Sequence, residues 1–334
     1  MRHLGSFIFL VSAVLGSASA VMSPAFAQNL GAAPAVPTLP STVSNNAAAL
    51  PVSPKLGAPD LAFGAFQRGY YVTAMQEAMK RVDANPNDGA AMTLIAELYA
   101  QGLGVRSDAA KAAEWLKLGS EHGDRQATFA LGIAKLKGDG VPQDKAGAQA
   151  LFQKAAAENH PGALYNLGVM ALEHNGVTPD FPKAARFFKQ AAELGDPDAA
   201  YALGLLFRNG SGVEKSDKRA AEWIARAVDE GSINAEVEYA IMQFNGTGVE
   251  KDETAAAKLF LKAAAQNNPV AQNRVARLLA AGRGLPKNMI DAMKWHILAR
   301  NAGLNDAWLD SKLDELSSTD RAAVNASVHQ YVGN

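Results

Sequence analysis

The chain has 334 residues, 48% apolar and 19% charged, with 29 Gly and 15 Pro. That excludes a collagen-like or wholly disordered chain and leaves ample material for a core. Its 32 basic and 33 acidic residues give a net charge of −1, which excludes the broadly basic surface of a nucleic-acid binder; the absence of Cys excludes a disulfide scaffold, a thiolate metal site, a Cys nucleophile and a Cys-linked lipid anchor.

Residues 1–27 read as an export signal. Arg2 supplies the charged start, Phe7 to Leu15 an apolar run, and Ala25-Phe26-Ala27 the small-x-small pattern that signal peptidase cuts. Cleavage is expected after Ala27; Ala18-Ser19-Ala20 is an earlier alternative site. The apolar run falls well short of the ~20 residues that span a bilayer. An uncleaved anchor is the other reading. The mature protein is therefore expected to be secreted, periplasmic in a Gram-negative source, and without an integral membrane span.

Residues 28–58 hold Pro34, Pro37, Pro40, Pro51 and Pro54 among Ala, Ser, Thr and Asn. Proline lacks the N–H and fixes φ, so this stretch is expected to be a disordered, partly extended linker. Recognition as a Pro-rich ligand is the alternative, but no basic residues frame a PxxP.

Beyond residue 58 the chain is built from units. Residues 59–89 read as a degenerate N-terminal cap, with its second helix over Thr73–Val82 ending at Asn85-Pro86. Residues 90–306 then hold six units of 36 residues. Ala91, Ala127, Ala163, Ala199, Ala235, Ala271 and Ala307 share one register. Gly104, Gly140, Gly176, Gly212, Gly248 and Gly284 share another, each followed by Val or Leu. Ala112, Ala148, Ala184, Ala220, Ala256 and Ala292 form a third. Trp115, Leu151, Phe187, Trp223, Leu259 and Trp295 form a large apolar column.

Each column has a physical reason. In the unit that opens at Ala199, Leu203 and Leu206 join Ala199 on one helix face. Gly210 and Gly212 stop that helix and supply positive φ for the turn. A second helix is expected from about Lys218, capped by Ser216 or Asp217, with Ala220, Trp223, Ile224 and Ala227 inward. Paired helices with one apolar face bury it only by stacking. Residues 307–334 are expected to form C-terminal capping helices, one with Trp308, Leu309, Leu313 and Leu316 and one after Ser318-Thr319-Asp320.

No chemistry-bearing pattern stands out. The recurring Gly-x-Gly lacks the preceding strand and following residues of a phosphate cradle. The His residues show no metal-ligand spacing, and no G-x-S-x-G elbow exists. Enzymatic activity, a metal and a cofactor are not expected. Arg274, Arg277, Arg283, Lys287, Lys294 and Arg300 crowd the last unit. They read either as a solvated face, balanced by Asp310, Asp314 and Glu315, or as a basic contact for an acidic partner.

The pattern A-x-(aromatic)-x-L-G…G-x-G-V…D…A-x-x-W…A…G resembles the Sel1-like repeat, a relative of the tetratricopeptide repeat. The copies at Ala127–Gly132 and Ala199–Gly204 carry it most cleanly. The resemblance implies an all-α fold, a right-handed α/α superhelical solenoid of 36-residue helix-turn-helix repeats. It also implies a protein-binding scaffold whose first helices line the concave side. On that basis Phe129, Tyr165, Tyr201 and Val237, or Ile133, Val169, Leu205 and Ile241, face a groove; the alternative is that they pack between helices. Arg208, Asn209, Phe244 and Asn245 sit at helix ends and vary between units, which makes them specificity candidates. The expected partner-binding set is Tyr165, Tyr201, Arg208, Asn209, Phe244 and Asn245.

The expected function is a non-enzymatic periplasmic scaffold for a protein or peptide of the cell envelope. One alternative is a regulator that sequesters the sensing domain of a membrane kinase; here the chain resembles rhizobial periplasmic exopolysaccharide regulators, also exported Sel1-like proteins. The other is a cell-wall hydrolase, which needs a convergent Ser, His and carboxylate.

Overall fold

A computed structural model of the chain describes residues 60–173 and 178–333. The expected leader, the Pro-rich linker and Gly176 with Val177 of the repeat columns lie outside the described residues. Capping side chains set where the helices begin. Asp88, Asp124, Asp196, Ser232 and Asn268, spaced by multiples of 36, each accept the backbone N–H of the opening Ala three residues on. Each such cap contributes about 1 kcal/mol. The second helices are capped the same way by Asp108, Asp144, Asp180, Ser216, Asp252 and Asn288.

Among the described residues the structure is sixteen helices and no strand. They fall into two compact units, residues 60–170 and 171–333. The first unit contains α1 (Leu61–Gln67), α2 (Tyr71–Ala84), α3 (Gly89–Gln101), α4 (Ala109–Glu121), α5 (Arg125–Lys137), α6 (Lys145–Ala157) and most of α7 (Pro161–Leu172). From α1 to α6 each helix packs on the next in sequence, and α3 also touches α5, the first helix of the following repeat. α1 and α2 pack Ala62, Ala65, Ala74 and Ala78 against Leu94, Ile95 and Leu98 of α3.

The second unit contains α8 (Phe181–Glu193), α9 (Pro197–Asn209), α10 (Asp217–Asp229), α11 (Ile233–Asn245), α12 (Glu253–Ala265), α13 (Pro269–Ala281), α14 (Met289–Asn301), α15 (Ala307–Asp314) and α16 (Ser318–Val332). From α8 to α14 each helix again packs on the next, and α14 receives both α15 and α16. The Ala register stops there: Ala307 is exposed, while Leu309 and Val324 are buried in the closing layer.

Two readings of the columns change. The deepest position of the second helix is one residue after the Trp column, at Phe152, Phe188, Ile224 and Phe260. Trp223 itself is half-buried, with the Arg226 guanidinium 5.6 Å from its ring centre. One residue is a rotation of about 100° around a helix, enough to move a side chain from core to flank. The second glycine of each loop does more than turn the chain. At Gly212 φ is +70°, and a Cβ would lie 2.4 Å from the Phe181 carbonyl carbon at the start of α8. At Gly248 a Cβ would lie 2.1 Å from the Asp217 carbonyl oxygen. The loop thus rests directly on the backbone of the preceding repeat, which only glycine permits.

Candidate partner-binding surface

The first helices carry the residues that vary. In the first unit Phe129 is buried between the Phe152 ring, 5.9 Å away, and the His160 ring, stacked at 4.2 Å. Tyr165 and Ile133 are half-buried, and Val169 is buried. His160 occupies the cap position of α7 that Asp holds at 88 and 124. Its Nδ1 accepts the Ala163 N–H at 3.2 Å, so its Nε2–H donates to Gln126 Oε1 at 2.8 Å. Burial, with the Arg125 charge beside it, lowers its pKa from 6.5 to about 4.

A pH dependence follows from that cap. Between pH 6.5 and about 4 the unfolded chain binds a proton that folded His160 refuses. Stability is full above 6.5 and falls as pH drops toward about 4, by about 3 kcal/mol in all. In the second unit burial pushes Asp196 up to about 6, and this works in the opposite direction as acid is added. The contribution of His160 is therefore isolated by His160→Asn, which keeps a cap oxygen without titrating. The difference in unfolding free energy between wild type and variant should slope across that window. A flat difference would contradict the assignment.

In the second unit the expected contact residues divide. Tyr201 is only 2% exposed, and burial with the nearby Glu238 carboxylate raises its phenol pKa. Phe244 is 1% exposed and lies under the Arg283 guanidinium, 4.5 Å from its ring centre. Neither ring faces solvent. Arg208 is half-buried and ion-paired with Glu238 on α11. Asn209 is half-buried and Asn245 exposed, at the C-terminal ends of α9 and α11. Leu205 is buried and Ile241 half-buried. The structure brings Tyr201 and Arg208 together around Glu238, and leaves Asn209 and Asn245 as the more open positions.

The crowd of basic residues is not a simple solvated face. Arg274 and Arg277 are buried. Arg277 binds Asp306 through Nη2–Oδ1 at 2.5 Å and Nε–Oδ2 at 2.6 Å, and Asn273 Nδ2 donates to the same carboxylate at 2.7 Å. Burial opposes the Asp306 charge, but these hydrogen bonds outweigh it and hold its pKa below the ordinary range. The Trp308 ring lies over Arg277, its centre 5.2 Å away. Burial and the neighbouring Arg277 charge lower Arg274 to about 10. Arg283 is bonded to Glu253, Lys294 to Asp291 and Arg300 to Asp310. Glu236 and Glu238, also buried, pair with Lys262 and Arg208.

Sequence reasoning missed the pairs Arg208–Glu238 and Arg277–Asp306 and the buried Arg274 that feels the charges of Glu238, Arg277 and Asp306. Their signal was present in the register: the place of Glu238 and Arg274 is Leu94, Ala130, Asn166 and Ala202 in earlier repeats. A change from small or apolar to charged at one packing position marks a buried pair rather than a solvated patch. Among the described residues no helix is long and apolar enough to cross a membrane.

The Sel1 repeat profile matches six consecutive segments, 89–124, 125–160, 161–196, 197–232, 233–268 and 269–304. Among solved structures, the Sel1 repeat protein of Oxalobacter formigenes is 28% identical, with a TM-score of 0.67 over 72% of this chain and 98% of that one. A protective antigen of uropathogenic Escherichia coli displaying an SLR fold is 22% identical, with a TM-score of 0.49 over 79% of this chain and 64% of that one. A comparison with curated proteins gives no match.

Proposed function

The chain belongs to the Sel1 repeat family, whose members are generally protein-interaction scaffolds, and from that premise we propose that it is an exported, non-enzymatic scaffold that holds a protein or peptide of the cell envelope. One observation carries the reading. The opening position of the first helices stays Ala and the place five residues on stays Ala or Gly, while the open C-terminal ends change chemistry from repeat to repeat. The last residue of the first helices, ten places after the opening Ala, is Gln101, Lys137, Asn209, Asn245 and Ala281, exposed at each except the half-buried Asn209. A surface that varies on a constant frame suits recognition of one partner. The export part of the proposal rests on Arg2, the Phe7–Leu15 run and Ala25-Phe26-Ala27.

Tyr165, Arg208, Asn209 and Asn245 are the contact residues in this proposal; Tyr201 and Phe244 support them from below. The test measures unfolding and capture of the envelope partner side by side, with residues 28–334 as bait. Tyr165→Ala and Asn245→Ala should stay within about 1–2 kcal/mol of wild-type stability, and capture should fall at least about tenfold. Tyr201→Ala should lose capture only in proportion to lost stability. Full capture by both surface variants would overturn the assignment of these residues. Turnover of a cell-wall substrate by the pure chain would overturn the non-enzymatic reading.

A further inference from the structure

The Trp column, displaced from the core by one residue, has a second consequence on the outer side of the repeats. In the first unit Trp115 of α4 packs against the cluster that α1, α2 and α3 form together. In the second unit Trp223 of α10 lies under Arg226, whose Nη2 reaches the Glu193 carbonyl at the end of α8 at 3.4 Å. Trp295 of α14 is 7% exposed, with Lys294 over it and Tyr331 against its edge. In these repeats the chain packs its own indole against a neighbour.

Between α4 and α6 the same register position holds Leu151. A cleft of about 770 Å³ is left there, with Ala113, Leu131, Val141 and Leu151 as its apolar lining. Lys154 stands where Arg226 stands, three residues after the column position. Its Nζ donates to the Ser120 carbonyl at the end of α4 at 2.8 Å. The cation that crosses to the end of the preceding second helix is thus kept where the indole is not. At Leu259, the other Leu of the column, the equivalent Lys262 turns instead to Glu236.

The rim has one uncompensated charge. Lys135 pairs with Asp144 at 3.0 Å and Lys117 faces Glu121 at 3.9 Å. Glu114, exposed on the rim, makes no ion pair among the described residues. We propose that this cleft receives an aromatic side chain of the partner protein, flanked by a basic residue that pairs with Glu114. The inference rests on the reading that the chain binds protein and adds a second docking point, on the second helices. Its chemistry is that of the indole the chain supplies itself at Trp115 and Trp223, with Lys117 and Lys135 of the lining as the cations beside it.

The experiment titrates the full chain with the peptide acetyl-Trp-Lys-amide and follows backbone amide shifts. Shifts at Ala113, Leu131 and Val141 are expected, saturating at roughly millimolar peptide. Acetyl-Ala-Lys-amide should produce at least about tenfold weaker binding. Leu151→Trp fills the cleft from within and should abolish the response while leaving thermal stability equal or higher. Glu114→Lys, a change at an exposed site, should weaken Trp-Lys binding about two- to fivefold and favour acetyl-Trp-Glu-amide. An unchanged response in Leu151→Trp, or equal binding of the Ala peptide, overturns the proposal. So does a response confined to residues away from the cleft, such as Asn166, which leaves the protein-binding reading intact. Absence of any response also overturns the cleft, and the scaffold reading is then judged by partner capture alone.

Discussion

Gly212→Val is expected to destabilise the second unit by more than about 3 kcal/mol, against about 1–2 kcal/mol for Gly210→Val. Both glycines have positive φ, +70° and +72°, so a β-branched residue is strained at each. Their surroundings differ. At Gly210 a Cβ would meet the Cβ of Lys215 at 3.1 Å, a side chain able to shift. At Gly212 it would meet the backbone of Phe181 and Pro182 at 2.4 Å and 2.5 Å. Backbone at the first turn of α8 does not yield, so the loop must lift from the preceding repeat. Because stacked repeats depend on their neighbours, the denaturant curve should broaden as well as shift. Equal losses in the two variants would mean that the close approach contributes nothing beyond backbone strain.

Phe188→Ala should cost about 3–5 kcal/mol, whereas Trp223→Ala should cost about 1–2 kcal/mol despite removing more atoms. Phe188 is fully buried, and its removal leaves a cavity. Trp223 is half-buried and already partly in water under Arg226. Chemical unfolding of the two variants decides the order. A larger loss at Trp223 would restore the Trp column as the core position.

The period and the helix pairs were legible in the sequence because six repeats run without an insertion and Ala and Gly keep one register. Within that frame Leu203, Leu206, Ala220 and Ile224 took the places their spacing gave them. What was not legible depends on neighbours rather than on the element itself. A helical wheel places Tyr201 and Phe244 on the variable stripe, yet whether the next helix or solvent covers that stripe is settled by packing. The same holds for Trp223, one position away from the buried column. Arg274 and Arg277 looked solvated because the nearby acids were counted as tail charges. The partner of buried Arg277 is Asp306, some thirty residues downstream at the cap of α15. The second loop glycine read as a turn residue because its contact lies in the preceding repeat, out of reach of any local rule.

The central claim, that the open ends of the first helices hold a partner, is tested most directly by hydrogen exchange on the full chain with and without its captured partner. The account predicts new protection in the last turns of α9 and α11, at Arg208, Asn209 and Asn245, and around Tyr165 in α7, with buried Tyr201 already protected in the free chain. A bound partner that leaves all of those amides unchanged would contradict it.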